Sequence, residues 1–168
     1  AMLMKVFPHG TGEGDKPSRY LVRPDYPGRD TAPPQILRGD LAMTRALIDS
    51  IERRWKFTSG ALSWHPNDKV SEEQEEEVMD AFELEADQRN ILWGRHTHAG
   101  HHELHFLIPR LELSSGKDFN ACPPGWQKDF DVFRDLFNWR EGWARPDDPA
   151  RARDELPKKA DLFKARMA

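Results

Sequence analysis

The chain has 168 residues, enough for one domain with a real core. Charged residues make up 32% and hydrophobic residues 38%, yet six Trp and nine Phe supply bulky core material and argue against global disorder. No apolar stretch approaches the roughly 20 residues of a membrane span, and the N-terminus does not read as a secretory signal. The single cysteine, Cys122, cannot form an internal disulfide, so a reducing, cytoplasmic compartment is expected. The net charge of −4 counts against the basic surface expected of a nucleic-acid binder. Much of the acid is local, however. Glu72, Glu73, Glu75, Glu76 and Glu77 form one run, read as the solvated face of a helix, while basic residues gather around 19–29 and 45–56.

In chain order, residues 2–7 read as a first strand, followed by a glycine-bearing loop over 9–14 with several free amides. Residues 16–22 suggest a short helical turn with Pro17 near its start. Four prolines make 24–34 a loop, and Gln35–Arg38 a short strand before Asp40, a good helix N-cap. Leu41, Thr44, Ile48, Ile51 and Trp55 recur at helical spacing. Residues 57–64 are strand-like, and Ser71 with Gln74 has the spacing of a capping box opening a helix to about Ala86, with Val78, Phe82 and Ala86 on one face. Two strands over 90–98 and 102–113 are joined by a tight turn at Ala99 and Gly100. After Pro123, Pro124 and Gly125 comes a last helix with Trp126, Phe130, Phe133 and Phe137 on its buried stripe. Beyond Pro146 the text is charged and weakly patterned, consistent with a peripheral helix or a tail. These elements predict an α+β domain, a mostly antiparallel sheet covered by helices.

Five of the seven histidines, His96, His98, His101, His102 and His105, lie within ten residues together with Glu103. In the second hairpin strand Leu104, Phe106 and Ile108 share one face, so Glu103 and His105 point to the other. A turn centred on Ala99 and Gly100 sets His96 opposite Glu103. Two imidazoles and one carboxylate then converge with coordination positions left open. Such a mixed set suits Mn²⁺ or Mg²⁺, and zinc would also bind. An open metal site of this kind polarises a phosphoryl oxygen. The bland alternatives are exposed strand residues without a joint role, or a structural zinc site.

Four segments resemble one known family, in the same order and with compatible spacing over about residues 4–153: 5–23 (KVFPHGTGEGDKPSRYLVR), 37–50 (LRGDLAMTRALIDS), 56–63 (KFTSGALS) and 91–125, which holds the histidine cluster. They look like the relaxases of small mobilisable colicin-type plasmids, which are HUH endonucleases. The resemblance implies a central antiparallel sheet of about five strands flanked by helices. It implies a catalytic tyrosine at Tyr20 that nicks one strand of an origin of transfer and becomes linked to the 5′ phosphate. It also implies a metal triad of His, then Glu seven residues on, then Asn two further. His96 and Glu103 match, whereas position 105 carries histidine in place of asparagine. His98 falls where relatives often have aspartate and is a candidate neighbour of the ligands, while His101 and His102 receive no family role and are read as facing solvent or DNA. Tyr26, the other tyrosine, matches no motif.

The partners implied are single-stranded or hairpin origin DNA, relaxosome accessory proteins and a coupling protein, and no membrane. Arg19, Arg23, Arg38, Lys56 and Arg95 are the DNA-contact candidates. Residues 2–153 are expected to form the catalytic domain and 154–168 a charged C-terminal extension of a chain that continues further in relatives. Two other readings are a rolling-circle replication initiator, which usually places its tyrosine after the histidine motif, and a catalytically silent single-stranded DNA-binding domain, which the acidic total favours.

Overall fold

The computed structural model describes residues 1–143. The expected domain end at 153, the extension over 154–168 and the charged text beyond Pro146 therefore lie outside the described residues. Within them, nine elements follow in the order β1 (Leu3–Val6), α1 (Asp15–Val22), β2 (Gln35–Arg38), α2 (Leu41–Ser50), β3 (Phe57–Ser63), α3 (Glu72–Ala86), β4 (Leu92–His96), β5 (Glu103–Pro109) and α4 (Trp126–Arg140). The strands form one sheet in the order β1-β3-β5-β4-β2, with every neighbouring pair antiparallel. This is the α+β architecture expected, five strands and four helices.

Side-chain alternation along the central strands divides the helices between two faces. Leu104, Phe106 and Ile108 of β5 meet Val78, Met79 and Phe82 of α3 and Phe130, Phe133 and Phe137 of α4 in the main core. Phe82 lies at its centre, with ring centroids 4.7–5.1 Å from Trp93, Phe106 and Phe130. On the other face Leu92 and Leu107 meet Leu21 of α1 and Ile48 of α2 in a smaller cluster. At the β4–β5 end of the sheet, α1 and the loop of residues 24–34 cover this face and meet His96.

The helix starts follow local chemistry. Asp40 Oδ1 accepts from the Met43 backbone N–H at 2.7 Å. Ser71 and Gln74 close the capping box in both directions, at 3.1 and 2.8 Å. The stripe expected to run from Leu41 to Trp55 is shorter than its spacing suggests. α2 ends at Ser50, where Ile51 turns extended, so Ile51 is buried from outside the helix and Trp55 is exposed. β4 and β5 are also shorter than expected at both ends: the turn between them opens into a loop over 97–102, β4 begins only at Leu92, and β5 ends at Pro109. The pairing register is nevertheless the expected one, with His96 opposite Glu103 and Gly94 opposite His105.

One expectation needs correction. The Glu72–Glu77 run is not uniformly solvated, since Glu75 is only 2% exposed. Helical periodicity turns that one position inward, where its carboxylate accepts from Arg95 Nε and Nη2 at 2.7 and 2.5 Å and from His102 Nε2 at 2.7 Å. His102, expected to face solvent or DNA, is thus held beneath the sheet against Trp64.

Candidate active site

β4 ends at His96 and β5 begins at Glu103, so the hairpin brings together residues seven apart in sequence. One ligand atom from each of His96, Glu103 and His105 lies within 4.8 Å of the others. The two imidazoles stack with centroids 4.1 Å apart and planes at 30°. Glu103 reaches His105 Nε2 at 3.5 Å and His101 Nε2 at 3.3 Å through its two oxygens. His101, to which sequence reasoning gave no role, thereby joins the site, and only the loop geometry could have shown it.

Burial and the neighbouring histidines set the charge state of His96 and Glu103. His96 is fully buried, and burial, then the neighbouring His105, pull its pKa down to about 4. It is therefore neutral near pH 7, as ligation requires. Burial alone would raise the Glu103 carboxyl, but the hydrogen bond from His105, with further help from His101, brings it down to about 2. Two imidazole nitrogens and one carboxylate oxygen fit a divalent cation. Both nitrogens of His96 have partners: Nε2 donates to the Leu21 carbonyl at 2.9 Å, and Nδ1 accepts from Arg29 Nη2 at 3.3 Å. A guanidinium can only donate, which decides the tautomer. A cation binding at His96 must displace one of these two bonds. Beside it, the Nδ1 of His98 is buried without a hydrogen-bond partner, with the two rings 5.5 Å apart.

Tyr20 sits on the last turn of α1 and faces the same group. Its ring centroid lies 5.9 Å from that of His96 and 5.8 Å from that of His105. A cavity of about 250 Å³ between α1 and the sheet is lined by Tyr20, His105, Phe7, Pro17, Leu21 and Ser59 among others. Burial pushes the Tyr20 phenol above its ordinary pKa, and the Arg29 charge works against that rise. Tyr26, read as a motif-free loop residue, lies beside it with ring centroids 5.4 Å apart, edge to face. The loop carrying it turns at Gly28, whose φ of +85° suits glycine, and there the backbone runs so close to His98 O that a Cβ would stand 2.8 Å away. Arg29 follows, buried between the two tyrosines. Its bond to His96 spans 67 residues, so no local sequence signal could have revealed it.

The five basic candidates do not share one surface. Arg19 and Arg23 are exposed near Tyr20 and pair with Asp15 and Asp25. Arg38 and Arg95 lie on the opposite face of the sheet, bound to Glu76, Asp80 and Glu83 and to Glu75 of α3. Lys56 precedes Phe57, which pairs with Pro109 at the far end of β5 from Glu103, about 20 Å away along the strand.

An antiparallel five-stranded sheet bearing a His–Glu–His cluster that could hold a metal ion, with a tyrosine beside it, defines a class of α+β domain, and the comparisons give it a family. The chain is 37% identical over 170 residues to cryptic plasmid protein C of Neisseria gonorrhoeae, an alignment covering 96% of this chain and 80% of that protein. It is 32% identical over 168 residues to the DNA relaxase MbeA of Escherichia coli, covering 93% of this chain. The chain spans about a third (32%) of that relaxase's length. No family model matches, and no solved structure matches. The chain belongs to the plasmid mobilisation relaxases. Among the described residues no helix is long and apolar enough to cross a membrane.

Proposed function

We propose that this domain nicks one strand of plasmid origin-of-transfer DNA through Tyr20 and remains covalently attached to the cut end. The observation carrying this reading is the placement of the Tyr20 ring within 6 Å of both imidazoles of the His96, Glu103 and His105 set. Tyr20 Oη attacks the scissile phosphorus and the phenolic proton is lost to solvent. The Oη–P bond forms, the P–O3′ bond breaks, and the departing 3′ oxygen takes up a proton. The product is a 5′-phosphotyrosine and a free 3′-hydroxyl, and attack by that hydroxyl reverses the reaction. The phosphodiester energy is conserved in the new bond, so resealing needs no nucleotide cofactor.

His96, Glu103 and His105 would hold a divalent cation, Mn²⁺ or Mg²⁺ by their donor set, with zinc the alternative. When bound, such an ion polarises the phosphoryl oxygen and neutralises its charge. The side chains prepare for this by keeping His96 neutral and Glu103 ionised. Arg19 and Arg23 supply phosphate contacts on the Tyr20 side, whereas Arg38, Arg95 and Lys56 lie too far round the sheet to join them without a long wrapped strand. The substrate is single-stranded or hairpin DNA, and accessory and coupling proteins of the transfer complex are its protein partners, in the cytoplasm.

The test uses labelled single-stranded origin oligonucleotides and Mn²⁺, read on a denaturing gel for a covalent protein–DNA band. Tyr20→Phe removes only the phenolic oxygen and should fold, bind DNA and form no adduct. Tyr26→Phe should still form one. An adduct that persists in Tyr20→Phe and vanishes in Tyr26→Phe transfers the role to Tyr26. DNA binding without an adduct in the wild type supports the silent-binder reading instead.

A further inference from the structure

Arg29 is 1% exposed, and its charge has no carboxylate within ion-pairing distance among the described residues. The chain treats its other enclosed arginines differently: Arg38, Arg95 and Arg110 each meet a carboxylate at 2.5–2.8 Å. Arg29 instead spends its hydrogens on neutral groups. Nη1 donates to the carbonyls of Tyr20 and Arg23, both at 2.7 Å, and Nη2 donates to His96 Nδ1. Its Nε is buried with no hydrogen-bond partner. The guanidinium carbon stands 5.0 Å from the Tyr20 ring centroid and 4.6 Å from that of Tyr26. Enclosing a cation without a counter-charge is strongly unfavourable. Carbonyl oxygens and two aromatic faces offset part of that. A residue needed only for packing would not require the charge.

We infer that Arg29 is a positioning residue of the strand transfer: it bolts the end of α1 that carries Tyr20 against His96 and keeps a positive charge, held without a direct ion pair, beside the reacting phenol. The inference rests on the reading of Tyr20 as nucleophile. As the Oη–P bond forms and the P–O3′ bond breaks, negative charge grows on the phenolic and phosphoryl oxygens. In the reverse direction the phenolate is the leaving group. A fixed, dry cation next to Tyr20 stabilises charge in both directions without reorganising. Because the guanidinium is enclosed, it contributes little to holding DNA in the ground state.

The experiment compares wild type, Arg29→Gln, Arg29→Lys and Tyr20→Phe in single-turnover adduct formation on an oligonucleotide that the wild type nicks. DNA affinity, Mn²⁺ affinity and melting temperature are measured alongside. Arg29→Gln should slow adduct formation by about 100-fold or more, the loss typical of removing one preorganised charge-stabilising group. Its DNA dissociation constant should stay within about threefold, a loss confined to the transition state. Mn²⁺ affinity should hold or rise, because the positive neighbour of His96 is gone. Arg29→Lys, which keeps the charge, should recover at least about tenfold of the lost rate. A wild-type rate in Arg29→Gln overturns the inference, as do equal losses in Gln and Lys that follow the melting temperature. If Arg29→Gln does not fold, Arg29→Lys decides: a rate within about tenfold of wild type supports the role of charge, and a far slower rate at wild-type melting temperature overturns it. An adduct in Tyr20→Phe overturns this inference together with the nucleophile reading, whereas loss there with no effect at Arg29 removes the Arg29 role alone.

Discussion

Glu75→Gln tests how the hairpin that carries His96 and Glu103 is held. Glu75 rises from α3 beneath the sheet and binds Arg95 and His102, the residues next to His96 and Glu103 on β4 and at the start of β5. Alternation along each strand sends Arg95 and His102 down to Glu75 while their neighbours His96 and Glu103 point up to the site. One buried carboxylate therefore clamps both strands of the hairpin at its ligand-bearing end. Removing one partner of a fully buried pair costs roughly 3–5 kcal/mol. Here Arg95 and His102 keep 20% and 14% exposure, and Arg95 also donates to Gln35 at 2.8 Å. About 2 kcal/mol is then the expected loss after allowing for solvent screening. For a chain of this size that lowers Tm by about 6 °C. Circular-dichroism melting measures it, with Glu72→Gln as the internal control. Glu72 is an exposed member of the same acidic run and should change stability by less than about 0.5 kcal/mol. Mn²⁺ titration should show weaker binding in Glu75→Gln, since the ligand end of the hairpin loosens. Equal melting temperatures for the two variants would refute the clamp, and a lowered Tm with unchanged Mn²⁺ affinity would confine Glu75 to stability.

The metal set itself is open to calorimetry: His96→Ala, Glu103→Ala and His105→Ala combined should abolish Mn²⁺ binding, and wild-type affinity in that variant would refute the assignment. His105→Asn, which installs the residue that the family resemblance implies, should keep nicking with a changed metal preference, so complete loss would count against the match to that branch. Acid should destabilise the chain through His96: the unfolded chain takes up a proton near pH 6.5 and the folded one only near 4, so stability present above 6.5 is lost as the pH falls to 4. The window corresponds to a loss of up to about 3 kcal/mol, which His96→Gln should remove in urea titrations at stepped pH. An identical pH slope in that variant would refute it. Phe82→Ala, at the centre of the aromatic core, should cost about 3–5 kcal/mol in urea unfolding. Trp139→Ala on the exposed face of α4 should cost less than about 0.5 kcal/mol, and equal costs would mean the core is misassigned.

Most of the elements, and the convergence of His96, Glu103 and His105, were legible in the residues themselves. Caps at Asp40 and Ser71 act within three or four residues, and strand alternation with a centred turn sets the pairing of one hairpin. Such features are local, so backbone geometry transmits them directly from the sequence. The Glu72–Glu77 run shows the limit of that: its composition says solvated, but which of five similar acids turns inward depends on what lies beneath α3, and only Arg95 and His102 select Glu75. Tyr20 could be singled out by resemblance, yet its neighbours could not. The contacts linking Arg29 to His96 and His96 to Leu21 cross 67 and 75 residues and exist only because α1 and the proline-rich loop pack over the β4–β5 end of the sheet. Chain segments that far apart carry no shared periodicity. Their meeting is decided by how the helices cover the sheet, and with it the burial that neutralises His96 and leaves the Arg29 charge without a counter-ion beside Tyr20.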